Sequence, residues 1–254
     1  PAALAGMDAV YVVHQPDLAV PHAADDMRAF VRVAREQGVR RLVLLGGRGV
    51  PAARPAEQVV MDSGLEWTIV HAAWFAQNFT EGEFAGMTEG GVVALPMADV
   101  AEPVIDADDI AEVVATVLTT GGHAGAVLEL SGPEALTHDR IAAELSAAAG
   151  RPVRYQPITR EAFDAGLAEA GVPDTERELL GMLFEVTLSG VNVEPTGDVE
   201  RVLGRPPRTF RKFLDAAAAA GAFDGREATT ATAATGATAT TATAAADARE
   251  VARG

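Results

Sequence analysis

The chain has 254 residues and a formal net charge of −16, and 48% of its residues are hydrophobic while 22% are charged. This composition is typical of a globular protein with a sizeable core. The negative charge argues against a nucleic-acid partner and against docking on an anionic membrane surface. The chain has no cysteine, which excludes disulfides, thiolate catalysis and cysteine-ligated zinc. No apolar stretch is long enough to span a bilayer, so no membrane partner is expected and a cytoplasmic protein fits best.

Apolar strands and amphipathic helices alternate at the start of the chain. Strands are predicted at residues 8–13, 41–45 and 66–70, and helices at residues 25–38 and 53–63. Because strand–helix–strand units with parallel strands form right-handed crossovers, this alternation predicts an α/β fold with a parallel sheet.

Helices dominate the rest of the chain. Residues 80–94 are predicted to be a loop, and residues 103–105, 126–130 and 151–155 to be extended. A helix is predicted to begin near Asp108, a second to run from its cap Thr137 to Gly150, and two more to cover residues 159–170 and 174–189. These last helices are expected to form a small cap over the sheet. The run from 228 to 246 is alanine and threonine except for Gly236, which predicts disorder.

Two charged clusters have competing interpretations. The acidic cluster is Asp106, Asp108 and Asp109. These carboxylates are predicted to stabilise the first turn of a helix rather than to bind a metal, because no EF-hand glycine or distal glutamate follows them. For the basic cluster a solvated helix face is favoured over an anion site. Its members are Arg201, Arg205, Arg208, Arg211 and Lys212.

The segment GLEWTIVHAAWFAQNF, residues 64–79, suggests one wall of a binding crevice. It reads as a strand that ends in His71, the aromatic pair Trp74 and Phe75, and the amide pair Gln77 and Asn78. Ligands of open α/β sheets bind beyond the carboxyl ends of the strands. The alternative is that the two aromatic residues only plug the end of the sheet.

Several familiar catalytic patterns are missing from the sequence. Its two tyrosines, Tyr11 and Tyr155, have no lysine four residues later, because Lys212 is the only lysine. There is no G-x-S-x-G elbow, and no H-x-x-x-H spacing for a helical zinc site. No catalytic residue and no metal ligand are therefore assigned. His14 and His71 follow candidate strands and could orient a ligand or supply a proton, although bonds to loop backbone are favoured for both.

The ordered motifs resemble those of a known family. GMDAVYVVHQPDLAVP, GVRRLVLLGGRGV, SGLEWTIVHAAWFAQNF, VIDADDIAEVV, LELSGPEALT with GRPVRY, and GRPPRTFRKFLDAAAAAGAF are similar to the NmrA-like atypical short-chain dehydrogenases/reductases over residues 4–223. Within them the chain resembles bacterial homologues of ergot-alkaloid reductases of the agroclavine dehydrogenase type. One departure is His71-Ala72, where the family commonly has Arg-Pro.

The resemblance implies a Rossmann-like sheet with a helical C-terminal cap, and a chain that lacks the first βαβ unit with its glycine-rich phosphate-binding turn. The implied domains are a partial NAD(P)-binding domain at 1–135, a helical substrate or cap region at 136–225, and a disordered tail at 226–254. The implied cofactor is NAD(P), with NADPH favoured, and weak cofactor binding is expected without that turn. The exposed edge at 8–13 also predicts self-association.

The resemblance also implies where the ligands bind. Substrate would contact Trp74, Phe75 and Asn78. The cofactor would be lined by Val13, His14, Gln15, Pro16, Leu45, Gly46, Gly47, His71, Ala72 and Ala73.

The function implied is reduction of a small electron-poor molecule by NAD(P)H without a Tyr/Lys proton relay. Hydride addition to an iminium carbon gives a neutral amine directly, and a quinone-like acceptor can take protons from water. The alternatives are a dinucleotide-binding redox sensor of the NmrA type, with no turnover, and an inactive fragment.

Overall fold

The computed structural model describes residues 2–82 and 84–224, and the predicted disordered tail lies outside them. The strands are Ala9–Val12 (β1), Arg41–Gly47 (β2), Glu66–Ala72 (β3), Val92–Leu95 (β4), Ala126–Leu130 (β5) and Arg154–Pro157 (β6). The helices are Ala23–Glu36 (α1), Arg54–Met61 (α2), Ala85–Glu89 (α3), Ala107–Thr119 (α4), His138–Ala149 (α5), Arg160–Glu169 (α6), Asp174–Leu188 (α7), Asp198–Leu203 (α8) and Phe210–Ala219 (α9). Short 3-10 turns occupy Ala2–Leu4, Pro51–Ala53 and Ala76–Phe79. Within the described ranges, no helix combines the length and the apolarity that a membrane crossing requires.

The described residues form two compact units. The first unit comprises residues 2–73, Asp108–Ser131 and Thr196–Pro206, and the second comprises residues 74–107 except 83, Gly132–Pro195 and residues 207–224. The division predicted from the sequence, at 1–135 and 136–225, stays a prediction.

The first unit is built on a four-stranded parallel sheet. Its strand order is β1-β2-β3-β5, and every neighbouring pair is parallel. Leu42, Leu44, Ile69, Leu128 and Leu130 are completely buried in it, and burying each such side chain contributes about 1.5–3 kcal/mol. Helix α1 packs against α2, which also contacts β2 and β3. The predicted parallel α/β sheet is therefore confirmed, and the strands that follow α1 and α2 run two residues further than predicted.

The second unit has an aromatic core. The rings of Phe163 and Phe184 meet edge-on with centroids 5.0 Å apart, and those of Phe79 and Phe210 lie 5.8 Å apart. These four rings belong to one apolar cluster of helices and the short parallel pair β4–β6.

Two predictions for the chain between 80 and 105 are wrong. The predicted loop at 80–94 contains α3 and β4, and the predicted strand at 103–105 is replaced by isolated bridges, from Ile105 to Phe75 and from Glu102 to Leu136. Strand β4 has only four residues, and its partner β6 lies some sixty residues later in the sequence. A strand this short is stabilised by its cross-strand partner rather than by its own pattern, so the local sequence does not reveal it.

The predicted helix boundaries after residue 105 are confirmed. Helix α4 carries Asp108 and Asp109 in its first turn, as the capping interpretation of the acidic cluster requires. The Thr137 hydroxyl accepts a hydrogen bond from the Arg140 backbone N–H at 3.3 Å, and Gly150 ends α5 with a φ of 64°.

The basic cluster does not form one solvated helix face, so that prediction is wrong. Arg201 lies on α8 and Arg211 on α9, while Arg205 lies in the connection between them. The connection contains Pro206 and Pro207, which cannot continue a helix because proline lacks a backbone N–H. The Arg205 guanidinium instead donates to Asp109, at 2.8 Å, and to Glu112 on α4.

Candidate functional site

The ten residues that the family resemblance assigns to the cofactor lie at one edge of the first unit. Parallel pairing places Gly46 opposite His71 and Gly47 opposite Ala72, at the carboxyl ends of β2 and β3. The loop of residues 13–16 leaves β1 at the same edge, since Val12 pairs with Leu44. The full set is Val13, His14, Gln15, Pro16, Leu45, Gly46, Gly47, His71, Ala72 and Ala73.

His71 is held between two carboxylates at this edge. Its Nδ1 lies 2.7 Å from Oε1 of Glu129, and its Nε2 lies 2.7 Å from Oε1 of Glu57. Burial alone would lower the pKa of His71, but the hydrogen bonds to Glu129 and Glu57 outweigh it and raise the pKa to about 9. Because carboxylates only accept, both ring nitrogens donate and His71 is an imidazolium at neutral pH.

The bond to loop backbone that the sequence favoured for His71 is therefore wrong. His71 and Glu129 are register partners on β3 and β5, so their side chains emerge on the same face of the sheet. Glu57 reaches the same ring from α2, which packs against β3.

Arg48 extends this arrangement, which we call the His71 clamp and define as Arg48, Glu57, His71 and Glu129. Nε of Arg48 lies 3.3 Å from Oε2 of Glu129, and the Arg48 side chain is only 11% exposed. Two cations and two anions are thus paired at the end of the sheet. Of these pairs only His71–Glu57 is largely buried on both sides, and removing one partner of a buried pair leaves an uncompensated charge, which costs about 3–5 kcal/mol.

Glycine at position 46 lets the His71 clamp approach the backbone of β2. A Cβ there would lie 3.2 Å from Oε1 of Glu57 and 3.3 Å from Cδ2 of His71. Both distances are shorter than ordinary van der Waals contact, so a larger residue would push the imidazole and the carboxylate away from the strand.

His14 is bonded differently from His71. Its Nδ1 lies 3.0 Å from the backbone oxygen of Asp17, which is the loop contact that the sequence favoured. Its Nε2 lies 3.0 Å from Oδ2 of Asp26 on α1.

The three predicted substrate residues belong to the second unit. The Trp74 indole N–H donates to Oγ1 of Thr187 at 2.9 Å, and its ring stacks on Phe184 with centroids 5.4 Å apart. Both partners are on α7, so Trp74 packs on this helix, and its role as a substrate contact stays a prediction. Phe75 bridges to Ile105, and Asn78 lies in the 3-10 turn; all three predicted residues are half-buried.

Gln77 is the residue of the amide pair whose role the sequence did not show. It is 8% exposed, its Nε2 donates to Oδ1 of Asp106 at 2.8 Å, and its Oε1 accepts from the Ala107 backbone N–H at 3.0 Å. Gln77 therefore holds the start of α4. The sequence hardly reveals this contact, because Gln77 lies about thirty residues before Asp106 and Ala107. A local sequence pattern does not include residues so far apart.

An all-parallel sheet with glycines and loop residues at its carboxyl edge defines the class of Rossmann-like nucleotide-binding folds. Residues 1–121 match the profile of a family described as NAD(P)H-binding. The chain is 35% identical to an NAD(P)H azoreductase of Xenophilus azovorans over 229 residues, which cover 87% of this chain and 79% of the relative. It is 30% identical to agroclavine dehydrogenase of Claviceps fusiformis over 217 residues, covering 82% and 75% of the two chains.

Solved structures agree on the fold. A structure of the NADPH-dependent quinone oxidoreductase of Escherichia coli complexed with NADPH superposes with a TM-score of 0.73 at 24% identity, covering 85% of this chain and 78% of that one. A triphenylmethane reductase of Citrobacter sp. gives 0.71 at 21% identity, covering 88% and 79%. The chain belongs to the NAD(P)H-binding, NmrA-like family of atypical short-chain dehydrogenases/reductases.

Proposed function

We propose that this protein is a reductase that uses NAD(P)H, with NADPH preferred, to transfer hydride to a small electron-poor acceptor of the iminium or quinone type. The observation that carries the proposal is that ten predicted cofactor residues lie at the carboxyl edge of one parallel sheet. The names of the relatives support it, because they include an NAD(P)H azoreductase and an NADPH-dependent quinone oxidoreductase.

The chemistry of that edge supports an acceptor that needs no proton from the enzyme. None of the ten residues carries a hydroxyl or an amine, and the two ring nitrogens of His14 are bonded to the Asp17 backbone oxygen and to Asp26. Both N–H groups of His71 are taken by carboxylates, and the hydroxyl of Tyr155 donates to the carbonyls of Leu95 and Ala98 in the second unit. A nicotinamide held at these residues would supply hydride; an iminium carbon would accept it as a C–H bond while its C=N π electrons became the amine lone pair, so the transfer would balance without an acid.

The proposed substrate contacts are Trp74, Phe75 and Asn78. The indole N–H of Trp74 is already bonded to Thr187 and one ring face is stacked on Phe184, so Trp74 would offer its opposite face to a planar acceptor. The ring is fixed by its stacking on Phe184, and a fixed ring loses little entropy when it binds a ligand.

The test is NADPH oxidation by the full-length protein with a naphthoquinone, an azo dye and a cyclic iminium ion. We expect turnover that depends on the acceptor. The variant Trp74→Leu is expected to raise the acceptor KM roughly tenfold, because loss of one aromatic contact weakens binding by about that factor. The KM for NADPH should be unchanged. Trp67→Leu is the matched control, because Trp67 lies at the amino end of β3.

Two results would overturn the proposal. Tight NADPH binding without turnover of any acceptor would indicate the redox sensor instead of the enzyme. Equal KM changes in the Trp74 and Trp67 variants, with both folds intact by circular dichroism, would remove the assigned substrate contact.

A further inference from the structure

Two histidines and one aspartate meet where the loop after β1 comes close to the start of α1. Nε2 of His14 lies 3.0 Å from Oδ2 of Asp26, and Nε2 of His22 lies 3.7 Å from the same oxygen. One ligand atom from each of the three residues lies within 4.8 Å of the other two. All three residues belong to the first unit.

The hydrogen bonds of His14 leave its Nε2 as the ligating atom. Nδ1 lies 3.0 Å from the Asp17 backbone oxygen, and because a carbonyl only accepts, Nδ1 carries the proton. Histidines that bind metals typically donate their other ring N–H to a backbone carbonyl or carboxylate in this way. Nε2 is then the ring nitrogen that faces Asp26, where its lone pair could bind a cation placed between the two side chains.

The spacing of the ligand atoms fits a small metal ion. Tetrahedral ligands about 2.0–2.1 Å from zinc lie about 3.3 Å from one another. The distances of 3.0 and 3.7 Å from His14 and His22 to Asp26 fall on either side of this value. The His22 side chain is 62% exposed, so it can rotate to bring the two imidazoles closer without disturbing the core.

We propose that His14, His22 and Asp26 bind one divalent transition-metal ion of the zinc type, with the remaining coordination open to water. Two imidazoles and one carboxylate suit zinc, nickel or copper, whereas calcium and magnesium prefer oxygen ligands alone. The bound ion ties the loop of residues 13–16 to α1. The H-x-x-x-H criterion overlooks this arrangement, because His22 is the N-cap of α1, Asp26 lies in its first turn and His14 comes from the loop before the helix.

The test is a titration with Zn²⁺ against a chromophoric chelator, and Co²⁺ is then bound as a spectroscopic probe. We expect one ion per chain. The Co²⁺ complex should show the intense visible absorption bands that are typical of a Co²⁺ ion with a low coordination number. His22→Gln and Asp26→Asn are each expected to weaken Zn²⁺ binding by more than roughly tenfold. Loss of a residue that only hydrogen-bonds to a metal ligand typically weakens binding by about 10–100-fold, so loss of a ligand itself should cost at least as much. Asp25→Asn is the matched control, because Asp25 is an equally acidic neighbour that pairs with Arg28.

The proposal is overturned if no one-to-one complex with Zn²⁺ forms, or if Asp26→Asn binds Zn²⁺ as tightly as Asp25→Asn does. Either result would leave His14 and Asp26 as an ordinary hydrogen-bonded pair. The titration needs neither cofactor nor acceptor, so its failure is distinguishable from a failure of the proposed reductase activity.

Discussion

His14 and His71 follow two strands of the same parallel sheet, yet their surroundings differ. Both ring nitrogens of His71 are bonded to carboxylates on other elements, and its side chain is 16% exposed. His14 gives one nitrogen to its own loop and the other to Asp26, whose side chain is 51% exposed. A histidine that follows a strand can therefore carry a fixed charge, as His71 does, or offer a ring nitrogen to a ligand, as we propose for His14. The difference depends on the group that its second ring nitrogen faces.

The largest expected effect is that of His71→Ala on stability. Removing the imidazolium leaves the Glu57 side chain, 6% exposed, without its partner. We expect the free energy of unfolding in urea to fall by about 3 kcal/mol, the lower end for a buried pair because Glu129 is 38% exposed. His71→Arg is the control and should lose less than half as much, since it keeps the charge. A loss below about 1 kcal/mol in His71→Ala would show that the clamp is not a buried pair.

The pH dependence of stability follows from the same clamp. Because the pKa of His71 is raised from 6.5 to about 9, its contribution is fully present below pH 6.5 and is lost as the pH rises through about 9. Between these values we expect the wild type to lose roughly 2–3 kcal/mol relative to His71→Arg, which stays charged. Urea unfolding of both proteins at several pH values measures this difference. Parallel pH curves for the two proteins would be incompatible with a raised pKa.

Gly46→Ala should have an intermediate effect. The added Cβ would press on Glu57 and His71, and overpacking of this kind costs about 1–2 kcal/mol of unfolding free energy. Gly166→Ala is the matched control, because a Cβ at position 166 on α6 meets no atom within 4 Å. That control should be neutral or stabilising by up to about 1 kcal/mol. Equal changes in unfolding free energy in the two variants would mean that the Glu57 and His71 side chains can move away from β2 without loss of stability.

The smallest expected effect is that of Asp26→Asn measured in the presence of a chelator. The contact between His14 and a half-exposed carboxylate contributes less than about 1 kcal/mol. Chemical denaturation should therefore barely distinguish this variant from the wild type. A loss as large as that of His71→Ala would erase the contrast between the two histidines.

The sheet of the first unit could be predicted because each of its strands is an apolar run bounded by a helix or a glycine. Strand β4 could not, since its stability depends on β6. The carboxyl edge could be predicted from strand order alone, whereas the clamp required knowing that Glu57 and Glu129, on separate elements, converge on His71. The role of Arg205 could not be predicted for the same reason. Its partner Asp109 lies almost a hundred residues earlier in the chain, so the sequence around Arg205 does not reveal the ion pair.

The most direct test of the proposed hydride transfer is the pH profile of kcat for NADPH oxidation by an iminium acceptor whose charge does not change with pH. Because both imidazoles among the ten predicted cofactor residues are bonded to other groups, we expect turnover with a kcat that is constant between about pH 6 and 8. A kcat that falls with rising pH through a single titration in that range would reveal a proton donor and contradict the account.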